Sequence, residues 1–366
     1  MNQDIMRQTR FARVIAVVLA IGAVLLVSSL PAMAAETGSA AKNLALICLN
    51  GKCGYINTQG KMVIPPRFVK ADTFSANGLA WVQEEENEKY GYINAKGEWV
   101  IPPKFEGVGE EDDKIGYFTD NGLALVRQGG KFGYINAKGQ WVIPPKFDWG
   151  GSFSANGLAW VQEKEGGKVG YINAEGKWVI SPRFEAAEPF NRNGLAAAWE
   201  NGKWGYINDK GKWVVSPRFG ASDGIFINGV AAIWENNKLG YFNVQQGEWV
   251  IPPTLDKEDV EFERKLYFTV NPNALAPFKE NGKYGYVNAK DELVISPKFD
   301  WTWYFSANGL AQVKENDKWG YINVKGEIVV YIEKICGFEV LKNAQGEITW
   351  PKKTAEQICE EQKKAR

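Results

Sequence analysis

The chain has 366 residues, with 43 Lys and Arg balancing 43 Asp and Glu, and no histidine. A net charge of zero supplies no field for nucleic acid or an anionic membrane surface, so neither is expected as a partner. Without imidazole the chain lacks the usual general base of serine and cysteine hydrolases and the commonest metal ligand, and no catalytic residue, metal or cofactor is expected.

Residues 1–34 read as an export signal. Arg7, Arg10 and Arg13 form a basic flank, Val14 to Leu30 is apolar apart from Ser28 and Ser29, and Ala32-Met33-Ala34 is a small-x-small cleavage pattern. The apolar run is slightly short for a comfortable span, and an uncleaved anchor is the alternative, which would be the chain's one membrane contact. Both readings place the remainder outside the cytoplasm, in a periplasm or the extracellular medium. Residues 35–43 are a short linker.

Residues 44–335 repeat one unit eight times. Its anchor, Gly54-Tyr55-Ile56-Asn57, starts again at Gly91, Gly133, Gly170, Gly205, Gly240, Gly285 and Gly320. A period of roughly 35 to 45 residues marks a repeat array in which each unit is too small to bury its own apolar face. Gly194 to Phe219 shows the grammar. A strand ends at Glu200, Asn201-Gly202 is a type I′ turn signal, a second strand runs from Lys203 to Ile207, and Asn208-Asp209-Lys210-Gly211 suits a loop closed by a left-handed Gly. A third strand from Lys212 is expected to stop at Ser216-Pro217, because proline cannot donate to a ladder. The loop Asn is expected to bond amides across the turn. Its Gly becomes Asp291 in the seventh unit.

Counting outward from that loop sets Ile93 opposite Trp99, Gly91 opposite Ile101 and Tyr92 opposite Val100, which makes the middle strand apolar on both faces and buried on both sides. A Trp (Trp99, Trp141, Trp178, Trp213 or Trp249) is expected to lie over the bare strand Gly. Phe pairs in the connectors (Phe68 and Phe74, Phe147 and Phe153, Phe184 and Phe190, Phe299 and Phe305) read as plugs between units. Two longer connectors, one with Glu110-Glu111-Asp112-Asp113 and one from Asp256 to Asn273, lack calcium-loop spacing and read as solvated loops. Residues 336–366 read as a tail with a short helix from about Thr354 to Lys364.

The fold expected is all-β: eight three-stranded antiparallel meanders in one continuous array. Three strands are one short of the usual propeller blade and no blade is split between the chain ends, which favours an open β-solenoid over an eight-bladed propeller. Cys48 and Cys53 flank a two-residue hairpin turn as a directly opposed pair and are expected to form a disulfide, at the positions of Trp199 and Trp204 in a later unit. Cys336 and Cys359 then pair by elimination and tie the helical tail to the last unit.

These columns resemble the WG-repeat family, also called KWG repeats, whose unit combines a Lys-x-Gly-Tyr-Ile-Asp/Asn hairpin, a Val-Ile-Pro segment and a Phe-Ser-x-Gly-Leu-Ala strand. The literal pair stands at Trp204-Gly205 and Trp319-Gly320. The family is largely bacterial and has no general catalytic residues, so the resemblance implies architecture and export more than activity.

Glu200 and Lys203, Glu235 and Lys238, Glu280 and Lys283, and Glu315 and Lys318 bracket turns, where cross-strand ion pairs are expected. Trp149, Trp301, Trp303 and Tyr304 fall in connectors, outside the alternating strand pattern. Trp199 and Trp234 take a position that is Arg127, Lys279 or Lys314 elsewhere, which indicates an exposed face. Exposed aromatics on a rigid array suit sugar rings or peptides; packing on an adjacent unit is the structural alternative. The function expected is therefore an exported, non-catalytic scaffold that binds a protein or an envelope glycan. A carbohydrate-binding module using Trp149, Trp301 and Trp303 is the alternative, and a carboxylate-based hydrolase the third reading. Exposed connector Trp residues would favour sugar; buried ones would leave protein scaffolding.

Overall fold

A computed structural model describes residues 41–85, 89–106, 116–227, 229–236, 238–255, 275–288, 290, 292–306 and 308–365. The expectations for the export signal, most of the linker, Glu110 to Asp113, the 256–273 connector and Asp291 lie outside the described residues. The chain forms two compact units: residues 184–259, and residues 34–183 with 260–366.

The larger unit is built from small antiparallel sheets. The first meander pairs Leu44–Leu49, Lys52–Asn57 and Met62–Phe68 in sequence order. The third pairs Leu123–Gln128, Lys131–Asn136 and Trp141–Phe147, and the seventh Ala276–Glu280, Lys283–Val287 and Leu293–Phe299. The second and fourth gain a strand: Lys70–Ala71 and Trp149–Gly150 lead the sheets that end at Phe105 and Phe184. The smaller unit holds the fifth and sixth meanders, each four-stranded, led by Ala186–Ala187 and Ala221–Ile227. The expected three strands per unit are thus corrected in these sheets. The start of the connector has room to pair with the next first strand before turning away.

The third strand also differs from expectation. It runs on through the prolines to the Phe, as in Trp141–Phe147. Trp141 opposes Ile135, but Ile143 opposes Tyr134 and Phe147 opposes Phe132, with a register shift in each interval. The same shifts place Tyr92, not Gly91, opposite Ile101. The first bulge turns Val100 and Val142 outward, each 42% exposed. The second takes the proline nitrogens off the ladder, so proline does not end the strand.

The second bulge also explains the strand glycine. A Cβ on Gly133 would lie 2.6 Å from the Ile143 carbonyl oxygen and 2.8 Å from Pro145 N, both backbone atoms. Only a residue without Cβ lets the strands cross so closely. Trp178, Trp213 and Trp249 cover Gly170, Gly205 and Gly240 as expected, with ring carbons within 2.8 Å of where a Cβ would stand, whereas at Gly91 and Gly133 the nearest atoms are backbone and not Trp99 or Trp141. The middle strand is buried on both faces; Phe132, Tyr134 and Ile135 are 2% exposed or less.

Meanders join by aromatic packing. The Phe ending one third strand meets the edge of the Trp beginning the next: Phe105 and Trp141 at 5.8 Å, Phe147 and Trp178 at 6.4 Å, and Phe219 and Trp249 at 6.0 Å in the smaller unit. Phe147 and Phe153 share one core with residues of the third and fourth meanders, so the plug reading holds there. The preceding cation grips the next loop, Lys104 Nζ donating to Gly139 O at 2.9 Å and Arg67 Nη2 to Gly97 O at 2.7 Å. The loop Asn acts as expected: Asn57 Oδ1 accepts from the Gln59 and Lys61 amides, and the pattern recurs at Asn136 and Asn323.

The eighth meander has six strands, Trp301–Thr302, Ala311–Glu315, Lys318–Ile322, Ile328–Ile335, Phe338–Lys342 and Ile348–Trp350. The expected tail therefore contains a further hairpin, with Asn343 accepting from the Gln345 and Glu347 amides like the loop Asn of every repeat. Its middle strand lost the Gly-aromatic anchor, which hid it. A helix, Ala355–Lys364, follows with a Thr354 and Gln357 capping box and Ile358 buried.

The first meander packs on both faces. Tyr55, Ile64 and Phe68 join Ala80, Val82 and Ile93 of the second. Ala45, Ile47, Leu49 and Ile56 join Leu310, Val330 and Leu341 of the eighth. Asn50 donates its backbone amide to Glu339 Oε2 and its Nδ2 to Glu339 O, and accepts from the Glu339 amide. Tyr321 OH donates to Leu46 O at 3.1 Å. The first meander is thus stacked on both sides, and the all-β class and the antiparallel meanders stand.

Both disulfides are present, Cys48–Cys53 across the first turn and Cys336–Cys359 from the last hairpin to the helix. Cys48 opposes Cys53 as Trp199 opposes Trp204. Replacing Gly133 with Ala should lower stability by about 2 kcal/mol or more, since backbone must move to admit the methyl; thermal unfolding by circular dichroism reads this, and an unchanged midpoint would refute the crossing argument. The cysteine separations of 5 and 23 residues give entropic contributions of about 2 and about 3.5 kcal/mol. Cys336→Ser should therefore lower the unfolding midpoint more than Cys48→Ser does.

Candidate functional site

Five of the six aromatic candidates, all but Tyr304, follow one pattern of pairing. Where a leading strand meets the next first strand, one position carries Trp and its opposite does not. The pairs are Trp149 with Gln162 and Trp301 with Lys314 in the larger unit, and Ala186 with Trp199 and Ala221 with Trp234 in the smaller. A second pair behaves alike. The Gly151 amide donates to Trp160 O, and the Trp160 ring occupies the space a Gly151 Cβ would need. In the eighth meander the Trp303 amide donates to Gln312 O at 3.0 Å, so the indole has moved from the inner strand to the leading one.

The leading strand is the sheet edge, yet place on it does not by itself set exposure: Trp301 there is half-buried, and Trp319 on an inner strand is 37% exposed. Trp160, Trp199 and Trp234, on inner strands, are half-buried. Trp149 is 44% and Trp303 61% exposed. An indole left that open forgoes roughly 3 kcal/mol of burial free energy. The packing alternative therefore applies to Trp199, whose ring meets Trp204 edge-on at 5.3 Å, and less to the connector residues.

Four aromatics come together on the eighth meander. Trp301 and Trp303 stack 13° from parallel with centroids 5.8 Å apart. Trp319 closes edge-on against Trp301 at 5.1 Å, and Tyr304 stands at 82° to Trp303, 6.2 Å away. Trp319 was not among the expected binding residues. The signal was its place directly opposite Lys314, which faces Trp301 on its other side. The backbone beneath is held from both sides, since Tyr286 OH donates to Trp303 O at 2.7 Å. Burial there and in its repeats pushes the Tyr134 and Tyr55 phenols far up, so both stay neutral. Trp149 stands apart on the fourth meander, tilted against Phe132 at 6.1 Å.

The charged groups at the hairpin ends serve structure. Asp300 binds Lys283 and accepts the Asn316 amide at 2.8 Å, and Lys314 pairs with Asp317 at 2.9 Å. Asp148 repeats this with Lys131 and the Glu165 amide, and Glu106 accepts the amides of Gly129 and Gly130. Lys283 and Lys318 oppose Glu280 and Glu315 in register, as expected, yet their ion pairs go to Asp300 and Glu333. Hydrogen bonds from Lys131 and Lys283 hold the Asp148 and Asp300 carboxyls below the usual range, and the Gly130 amide leads in doing so for Glu106. Among the described residues no cluster of three or more Cys, Asp or Glu side chains is placed to hold a metal ion.

A family model described as "WG containing repeat" matches residues 54–87, 90–132, 132–168, 170–204, 204–238 and 284–319, together more than half of the chain. No curated protein matches the sequence. Among solved structures the chain is similar to the dihydro-heme d1 dehydrogenase NirN in complex with DHE, at 12% identity over 83% of this chain and 75% of that one, TM-score 0.45. A eukaryotic initiation factor matches at 12% identity over 87% and 90%, TM-score 0.43, and virginiamycin B lyase from Staphylococcus aureus at 16% over 77% and 96%, TM-score 0.35. At these scores none carries an argument about this chain.

The lowered carboxyls set an acid limit. Their folded pKa values lie below the unfolded ones, so their contribution is full above the unfolded value of about 4 and is lost as pH falls through the folded one. The unfolding midpoint should be flat from pH 7 to about 5 and fall below about 4. Asp148→Asn should lower the midpoint at pH 7 and flatten that fall; an acid limb as steep as the parent's would contradict the assignment.

Proposed function

The chain belongs to the WG-containing repeat family, and from that premise we propose that it is an exported, non-catalytic repeat scaffold that holds an envelope partner through aromatic side chains on its sheet edges. The observation that carries this reading is the exposure of Trp149 and Trp303, the two most exposed tryptophans among the described residues. Two disulfides and no free cysteine among the described residues support an oxidising, extracytoplasmic setting. A rigid stack supports binding because it presents these side chains already ordered, which lowers the entropic cost of association.

The electrostatics support a non-catalytic role. A carboxylic acid catalyst needs a raised pKa or a paired partner across a cleft. Among the described residues the perturbed carboxyls (Glu106, Asp148, Glu175, Asp300 and Glu333) are lowered, by lysines or turn amides already bonded to them.

The mature chain should retain a partner from envelope extract, and a Trp149→Ala/Trp303→Ala variant should retain at least tenfold less of it with an unchanged unfolding midpoint. Equal capture by both proteins would remove the aromatic edges from the function.

A further inference from the structure

We propose that the cluster on the eighth meander is a site for a neutral, β-1,4-linked hexopyranose chain, with Trp303 as the stacking floor and Tyr304 as the upright wall. This rests on reading the aromatic edges as a binding surface and assigns the ligand class.

Four observations lead there. The first is shape: with Trp301 stacked behind it and Trp319 closing the far side of Trp301, Trp303 ends a row of rings and is 61% exposed. A flat indole beside a ring at 82° makes a right-angled corner. A pyranose with equatorial substituents offers a flat face of C–H bonds, which an aromatic face attracts, and β-1,4 linkage repeats that face along an extended chain. An α-1,4 chain curls and presents its faces in turn.

The second is charge. Among the described residues the ionic groups at the adjoining hairpin ends are matched in pairs, Lys283 with Asp300 and Lys314 with Asp317. A neutral ligand is the complement.

The third is size. A stable protein interface takes about 20–30 residues a side. The exposed part of the cluster is three side chains, Trp303, Tyr304 and Trp319, which matches a few sugar rings.

The fourth is order. The Trp303 amide and carbonyl are both hydrogen-bonded, to Gln312 O and Tyr286 OH, and its ring leans on Trp301. The floor is set before the ligand arrives.

The test is isothermal titration of the mature chain with chitohexaose, cellohexaose, maltohexaose and an alginate hexamer. Chitohexaose or cellohexaose should bind, maltohexaose and alginate at least tenfold more weakly. Trp303→Ala should cut β-1,4 affinity at least tenfold and Trp303→Tyr less, with unfolding midpoints near the parent's. The response to chitohexaose against cellohexaose separates N-acetylhexosamine chains from plain glucans. Failure of both β-1,4 hexamers to bind, equal affinity of Trp303→Ala, or preference for alginate would overturn the inference. If the sugars fail while Trp303→Ala still loses partner capture from envelope extract, the aromatic edge binds protein and only the ligand class is wrong. If Trp303→Ala and Trp149→Ala/Trp303→Ala both leave capture unchanged, the edge reading falls as well.

Discussion

Each repeat depends on a third strand that crosses its middle strand at a residue with no side chain. The Ile143 carbonyl and the Pro145 nitrogen lie where a Cβ of Gly133 would be. The two register shifts that create this crossing turn one valine outward, keep the isoleucine inside, and deliver the terminal Phe to the junction with the next meander. Without the glycine the third strand would stand off, and the Phe and Trp that join neighbours would not meet.

Junctions are then made twice over. Apolar contact comes from the Phe and the next Trp, meeting edge to face with centroids near 6 Å. Polar contact comes from the cation before the Phe, which reaches the next loop carbonyl, and from the acid after it, which takes amides of the next hairpin. The exposed ion pairs in this set contribute little each, at most about 1 kcal/mol. Their value is in register, because each side chain touches two units. At the first meander the neighbour on one side is the eighth, and Asn50 with Glu339 does there what the acids do elsewhere.

The exposed aromatic surface depends on which strand supplies an indole where a leading strand meets the one inside it. Supplied from within, as at Trp160 or Trp199, it is half-covered. From the edge, Trp149 and Trp303 face water, while Trp301, stacked behind Trp303, stays half-covered. Moving Trp to the outer partner of two consecutive pairs, as the eighth meander does, builds an aromatic stack without disturbing the core.

The sequence alone determined the repeat, the two hairpin turns, the buried middle strand, the loop Asn, the terminal helix and both disulfides. Each follows from local chemistry: positive φ at turns, alternation in strands, capping at Thr354 and opposed cysteines across a tight turn. It also located the aromatics that break the strand pattern. Tertiary structure decided what depends on a partner far along the chain. The bulges at the prolines hinge on how two strands cross, so Gly91 could not be set against its true neighbour by counting. The Asn343 hairpin had lost its glycine anchor and showed only when paired to the preceding strand. Trp319 joined the cluster through Lys314, a strand away from Trp301. Residues 45–56 meet residues 310–341, and no local pattern encodes a contact made across nearly the whole chain.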